Sequence, residues 1–223
     1  MIRLTGLGFA LVAAPFFAVV LGPVQGVLLI NFLTPFTNLI VLAKTWSYIE
    51  WRRALKLALP AVCVIPVGSL ILRTVAAPTL FIALGVLVIA AMVVVVYAKN
   101  VHLFGGRLGA VEAGAASGIM NAVAGLGGPA LALYAMATKW PMQQFVPTVQ
   151  VYYLIINVAF LLVNGLPTFD GTKIAMLGVA MILGIGAGDI IARRVSDENA
   201  RRVMLGLALI GAVTVIVKGL VSL

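Results

Sequence analysis

Residues 117–136, SGIMNAVAGLGGPALALYAM, combine an apolar composition with polar and helix-breaking residues. Asn121 lies one helical turn after Ser117, and a Gly-Gly-Pro break follows at 127–129. Pro129 suits the first residue of a helix, where its missing N–H is harmless. A helix that begins there presents unpaired N–H groups and a partial positive charge, which together bind anions. The stretch therefore predicts an anion site at a break inside an apolar segment.

A second break of this kind is predicted near the start of the chain. GLGFALVAAP, residues 6–15, shares its Gly-Leu-Gly and a proline with GLGGP at 125–129. We expect two half-helix N-termini to meet near the centre of the membrane and to supply backbone N–H groups to the anion. The residues expected at the two tips are Ala14, Pro15 and Phe16, and Gly127, Gly128, Pro129 and Ala130.

Close helix packing alone is the alternative use of these glycines. It is the role we assign to the GxxxG pairs Gly114–Gly118 and Gly184–Gly188.

Two apolar segments carry polar stripes at helical spacing. One stripe contains Asn31, Thr34 and Asn38, and the other contains Gln150, Tyr153, Asn157 and Asn164. An unpaired amide in hydrocarbon is unfavourable, so each stripe needs a polar partner or a cavity. We predict that the anion route is lined by Asn31, Asn38, Asn121, Gln150 and Asn157. Hydrogen bonding between helices alone would also satisfy these side chains.

The composition is that of an integral membrane protein. Hydrophobic residues make up 63% of the 223 residues and charged residues 9%, whereas a soluble domain is about one quarter charged. The net charge of +9 comes from short loops between apolar segments, so we expect a cytoplasmic excess and no nucleic-acid binding. One histidine and no nucleotide-binding fingerprint predict no enzyme activity, no metal and no cofactor.

Acidic residues are scarce inside the apolar segments. Glu112 and Asp189 lie within such segments, both near an end, where ion pairs with Arg107 and Arg193 are expected. A carrier of cations would need carboxylates at depth, so this class of transporter is not favoured.

The apolar segments indicate an eight-part organisation, at residues 4–22, 24–43, 54–72, 79–98, 109–137, 143–164, 172–192 and 202–221. Most fit one crossing of about 20 residues, but the fifth is too long and is interrupted by glycine. The first segment has some features of a signal peptide, but the recurrence of its pattern in the second half favours a mature segment.

The chain repeats itself. VGSLILRTV at 67–75 matches AGDIIARRV at 187–195, and PVQ at 23–25 matches PMQ at 141–143. We therefore predict one membrane transporter domain over residues 1–223, with repeat one at about 1–100 and repeat two at about 107–223.

The distribution of basic residues predicts the topology. Eight crossings would divide them nine against six, whereas re-entrant hairpins in segments one and five divide them four against eleven. The positive-inside rule favours the second arrangement. We therefore expect an all-α polytopic fold of two inverted repeats, each a re-entrant helical hairpin plus three transmembrane helices, with both termini outside.

The sequence resembles the sulfite exporter TauE/SafE family of bacterial membrane transporters. The resemblance rests on GLGFALVAAP at 6–15, on AGAASGIMNAVAGLGGPALAL at 113–133 and on the four-segment pattern of both halves. It implies export of sulfite or a small organosulfonate such as sulfoacetate across the bacterial inner membrane. It also implies a first hairpin arm that begins several residues before Arg3. We expect the mechanism to be alternating access.

The expected partners are a small anionic substrate and the lipid bilayer, and the chain could assemble as a homo-oligomer. A different interpretation is a non-transporting membrane subunit or assembly factor whose polar stripes bind partner helices. It predicts stable association with another protein and no stabilisation by a substrate.

Overall fold

The structure, a computed structural model, describes residues 7–97, 104–106, 108–168 and 197–223. In these ranges the chain forms helices and no strand, which confirms the all-α fold class. The helices are α1 (Leu7–Leu21), α2 (Pro23–Thr45), α3 (Trp51–Thr74), α4 (Ala77–Tyr97), α5 (Gly109–Ala124), α6 (Gly128–Ala137), α7 (Met142–Asn164) and α8 (Asp197–Val221), with a 3-10 turn at Trp46–Tyr48. Five of them, α2, α3, α4, α7 and α8, are long and apolar enough to cross a membrane.

The predicted segment at 172–192 lies outside the described residues. So do the pair Gly184–Gly188 and the expected partners Asp189 and Arg193, and the proposed partner of Glu112, Arg107. Glu112 itself is exposed in the first turn of α5.

α5 runs parallel to α3 and packs closely along it. A Cβ at Gly118 would lie 2.7 Å from the Ala61 carbonyl oxygen, and one at Gly114 would collide with the Leu57 carbonyl. Glycine is therefore required at both positions to let the two backbones approach, which confirms the packing role predicted for this GxxxG pair.

α6 turns back toward the end of the bundle where α3 and α5 begin. The Arg53 guanidinium, in the first turn of α3, lies 4.3 Å from the Trp140 ring centroid and 5.9 Å from that of Tyr134. Tyr134 belongs to the last turns of α6 and Trp140 to the loop that follows. α5 and α6 therefore form a hairpin whose outer ends meet at the same end of the bundle.

Contacts between helices also give the relative directions of α2, α4, α7 and α8. α7 runs parallel to α3, because Thr148 accepts from the Glu50 N–H at one end and Asn164 accepts from Arg73 at the other. α2 is antiparallel to α7, and α4 is antiparallel to α8, where a Cβ at Gly219 would lie 2.8 Å from the Pro78 carbonyl. These opposed directions support inverted repeats, which remain a prediction for the whole chain.

The described basic residues divide unequally between the two ends of the bundle. One end, called here the basic end, carries Lys44, Arg52, Arg53, Lys56, Lys139 and Arg202. The opposite end carries Arg73 and Lys218. Among the described residues, this is the bias that re-entrant hairpins predict.

The predicted first tip at Ala14, Pro15 and Phe16 is wrong. α1 continues through Pro15, and the chain reverses instead at Gly22, whose φ of 85° suits glycine. The Pro15 ring packs on α8, where a Cβ at Gly211 would lie 2.7 Å from the Pro15 Cγ. A proline removes one backbone hydrogen bond, and an apolar helix held between neighbours tolerates that loss.

Candidate functional site

The break between α5 and α6 is held against the middle of α2. α5 ends at Ala124, and Gly125 closes it in the left-handed conformation with a φ of 70°. The Gly125 N–H donates to the Asn121 carbonyl over 2.8 Å. A Cβ at Gly125 would lie 3.2 Å from a methyl carbon of Ile30. The positive φ and the close approach to α2 both require glycine here.

The N-terminus of α6 is buried, and no side chain of a described residue caps it. Gly127 is the N-cap residue, and Pro129 is the second residue of α6, one position later than the sequence predicts but still in the first turn. The Gly127 carbonyl accepts a 2.7 Å hydrogen bond from the Ser117 hydroxyl, which fixes the start of α6 to α5. The first N–H groups of a helix have no acceptor within it, so Gly128 and Ala130 present donors at this buried end.

Three asparagines from three helices meet beside this break. Asn121 of α5 donates its side-chain amide to Asn31 Oδ1 of α2 over 2.7 Å and to Asn157 Oδ1 of α7 over 3.3 Å. Their exposed fractions are 3%, 0% and 1%. The polar stripes of α2 and α7 are therefore joined through the hairpin.

The three asparagines differ in whether their side-chain N–H groups donate hydrogen bonds. Asn121 has two N–H bonds on its amide and directs one to each neighbouring asparagine. The Asn31 amide donates to the Val27 carbonyl over 2.9 Å. The Asn157 amide nitrogen is buried and has no hydrogen-bond partner among the described residues. Asn31 and Asn121 therefore brace the cluster, and Asn157 presents free N–H donors.

Asn38 is a second buried amide that points to a polar ligand. It is 0% exposed, and neither its Oδ1 nor its Nδ2 has a partner in the described part of the chain. Gly26 of α2 lies against Ala18 of α1, so about eleven residues further along this antiparallel pair Asn38 comes near the level of Leu7. Asn38 thus lies near the level at which α1 begins, and Asn157 lies close to the start of α6.

Gln150 and Asn157 follow Asn31 and Asn38 in the chain by the same interval. Gln150 is 2% exposed on α7. The two stripes are therefore equivalent in position as well as in composition, which supports the predicted repeats.

A comparison with protein-family models matches residues 1–215 of the chain to "Sulfite exporter TauE/SafE". The chain belongs to the TauE/SafE family. The resemblance of the glycine-rich breaks to this family is thereby confirmed. Comparisons with curated proteins and with solved structures find no significant match. The protein is therefore a membrane protein of a family of sulfite exporters.

Most of the predicted site residues of this TauE/SafE protein lie near one another. The structure brings together Asn31, Asn121, Asn157, Gly127, Gly128, Pro129 and Ala130, and it buries Asn38 on α2 and Gln150 on α7. It does not bring Ala14, Pro15 and Phe16 to a helix terminus, since they lie in the middle of α1. Phe16 is also 62% exposed on the outside of the bundle.

Tyr152 is a further buried polar residue that the sequence does not single out. This side chain is fully buried, and its hydroxyl lies near Ser117 without a hydrogen bond of good geometry to any described residue. The helical spacing of the stripe on α7 selects the adjacent Tyr153, so only the proximity of the Tyr152 hydroxyl to Ser117 of α5 identifies Tyr152. A hydroxyl at this position adds a neutral donor beside the start of α6.

Proposed function

We propose that this TauE/SafE protein exports a small sulfur-containing anion, such as sulfite or an organosulfonate like sulfoacetate. The observation that carries the proposal is the pair of buried amides, Asn38 and Asn157, with unpartnered N–H groups in the described part of the chain. Asn157 adjoins the uncapped N-terminus of α6, where further N–H donors and the helix dipole favour negative charge.

Neutral donors suit a transported anion better than a buried cation would. The charged residues that the structure describes lie in loops or within two turns of a helix end, away from Asn157. Hydrogen bonds from amides and backbone N–H groups can replace part of the water around an oxyanion without holding it as tightly as an ion pair. The anion can therefore both enter and leave the site.

Alternating access would use the unequal attachment of the two hairpin arms. α5 is held along α3 at Gly114 and Gly118, whereas α6 is joined to α5 through the glycines at 125 and 127. Glycine allows the backbone rotation that a hinge needs. We therefore assign the movement to α6 and the fixed frame to α3 and α5.

Side-chain contacts between described residues join neighbouring elements at each end of the bundle. At the opposite end, Arg73 donates to Asn164 over 3.3 Å, and Asn164 donates to Ser69 over 2.7 Å. At the basic end, the Trp140 indole N–H donates to Glu50 over 3.1 Å. Exchange of the anion would require these two contacts to open in turn.

The basic end is assigned to the cytoplasm by the positive-inside rule. This assignment puts the C-terminal end of α8 outside a bacterial inner membrane and sets the direction of export from the basic end to the opposite end. An N-terminus outside remains a prediction of the sequence.

The test is counterflow of radiolabelled sulfite and sulfoacetate into proteoliposomes of the purified protein, with phosphate and an amino acid as comparison solutes. We expect saturable exchange of a sulfur anion alone. The Asn157→Leu variant should lose this exchange, because it removes the free donors beside α6, and Thr214→Val on the exposed face of α8 should keep it.

Absence of exchange from folded protein would contradict the proposal. Stable copurification with another membrane protein, without stabilisation by any anion, would then favour the subunit interpretation. Normal exchange by a folded Asn157→Leu variant would leave export standing and remove the asparagines from the route.

A further inference from the structure

A cleft of about 490 Å³ opens at the basic end, outside the asparagine cluster. It is lined by Glu50, Trp51, Arg52, Arg53, Lys56 and Tyr134. Its volume lies within the range of small-molecule sites, which is about 300–1,000 Å³. Three cations and one carboxylate therefore converge on a space large enough for a small organic anion.

Arg53 and Glu50 form part of the wall of the cleft and contact each other and Trp140. Arg53 lies 3.3 Å from the Glu50 carboxylate and stacks over the Trp140 ring. Glu50 also accepts from the Trp140 indole N–H, so its charge is directed to these two neighbours. The wall is thus preorganised, and its single carboxylate neutralises only one of the three cations.

Arg52 and Lys56 carry the remaining charge. Both are exposed, and among the described residues no carboxylate forms an ion pair with either. They lie in the first two turns of α3, whose first turn has no acidic residue. Cations at a helix N-terminus oppose the helix dipole, so local stability does not explain their position. Two uncompensated positive charges match a ligand with two negative charges.

The cleft lies close to the asparagine cluster. Tyr134, which lines the cleft, follows the first residue of α6, Gly128, by six residues. Six helical residues span about 9 Å, so one short helix separates the cleft from the uncapped N-terminus beside Asn121.

We propose that this cleft is a second anion site, which binds a soluble dianion from the basic side before it reaches Asn157. The expected ligand class is a small organic acid with two anionic groups, such as a sulfonate with a carboxylate. The loading role rests on the proposed export from the basic end, whereas the binding itself does not. A phosphate group of an anionic lipid shares this chemistry, and the test separates the two sources.

Tryptophan fluorescence reads the cleft directly. The three tryptophans of the chain are Trp46, Trp51 and Trp140, of which Trp51 lines the cleft, Trp46 packs on Trp51 and Trp140 stacks on Arg53. Purified protein in a neutral detergent is titrated with sulfoacetate, with methanesulfonate as the single-charge comparison. We expect a saturable change in emission that is stronger for sulfoacetate and weakens with added salt.

The Arg52→Gln/Lys56→Gln double variant should raise the Kd about tenfold or more, because it removes two charge-assisted hydrogen bonds. Lys44→Gln is the matched control, since Lys44 is an exposed cation at the same end that does not line the cleft. Its Kd should stay at the wild-type value. An unchanged Kd in the double variant, or an equal loss in Lys44→Gln, would overturn the proposal.

Calorimetry and a competition with lipid show where the ligand binds and whether it is soluble. Calorimetric binding of sulfoacetate without a tryptophan response would place the ligand elsewhere, and no binding by either method would remove the site. Phosphatidylglycerol that changes the emission, with sulfoacetate unable to displace it, would assign the cleft to a lipid headgroup and overturn the soluble ligand. A positive titration combined with absent counterflow would keep the cleft and refute export.

Discussion

Asn121 donates its side-chain amide to Asn31 Oδ1 over 2.7 Å and so joins the end of α5 to the middle of α2. Both side chains are buried, with exposed fractions of 3% and 0%. The same amide reaches Asn157 on α7 over a longer 3.3 Å. One residue of the hairpin therefore fixes the interface between the two polar stripes.

A double-mutant cycle of Asn121→Leu and Asn31→Leu measures this contact. We expect a coupling free energy of about 0.6–1.7 kcal/mol in unfolding experiments in detergent, the range for hydrogen bonds between membrane helices. Pairing Asn121→Leu with Thr214→Val on α8 should give additive effects, because these residues share no partner in the described ranges. Zero coupling between Asn121 and Asn31 would show that the bond does not persist in the membrane protein.

Asn38→Leu should separate stability from transport. Since neither polar atom of Asn38 is bonded to a described residue, the substitution should change the free energy of unfolding by less than about 1 kcal/mol or raise it. Counterflow of the sulfur anion should be lost. Thr37→Val is the neighbouring control and should transport normally. A strongly destabilised Asn38→Leu variant would reveal a structural partner and contradict a role in binding.

Gly114→Ala should destabilise the protein, because the new Cβ would collide with the Leu57 carbonyl of α3. The expected loss is about 1–3 kcal/mol, as for other overpacked interfaces. Gly206→Ala is the matched control, since a Cβ there meets no described residue within 4 Å. It should be neutral or stabilising by up to about 1 kcal/mol, because alanine favours helix. Equal unfolding free energies for the two variants would contradict the close packing of α5 on α3.

Cysteine labelling tests whether α5 and α6 form a re-entrant hairpin in the membrane. Cys63 is the single native cysteine, so Cys63→Ser provides the background. Gly106→Cys and Lys139→Cys flank the hairpin, and both should react with a membrane-impermeant reagent from the cytoplasmic side. Thr168→Cys, after α7, should react from the other side. Reaction of the two flanking cysteines from opposite sides would establish a crossing segment instead.

The sequence predicted the second break correctly and placed the first one wrongly at Pro15, because proline acts differently in the two contexts. At residues 125–129, glycine and proline occur together, so the helix loses both its backbone preference and a hydrogen bond. At Pro15 a proline stands alone among apolar residues, and α1 continues through it. Whether one proline ends a helix depends on its neighbours, and here contact with Gly211 of α8 favours continuation.

The sequence by itself determined that the protein is an α-helical membrane protein, because apolar segments of this length must satisfy their backbone internally. It also identified Asn31, Asn38, Asn121 and Asn157 as candidate site residues, since an amide in hydrocarbon needs a hydrogen-bonding partner. Only the tertiary structure decided which of these amides are occupied and which are free. Asn121 donates one hydrogen bond to Asn31 and one to Asn157. The side-chain amide nitrogens of Asn38 and Asn157 have no hydrogen-bond partner among the described residues. Hydrogen bonding depends on which helices meet and in which direction, and helical spacing alone carries no such information.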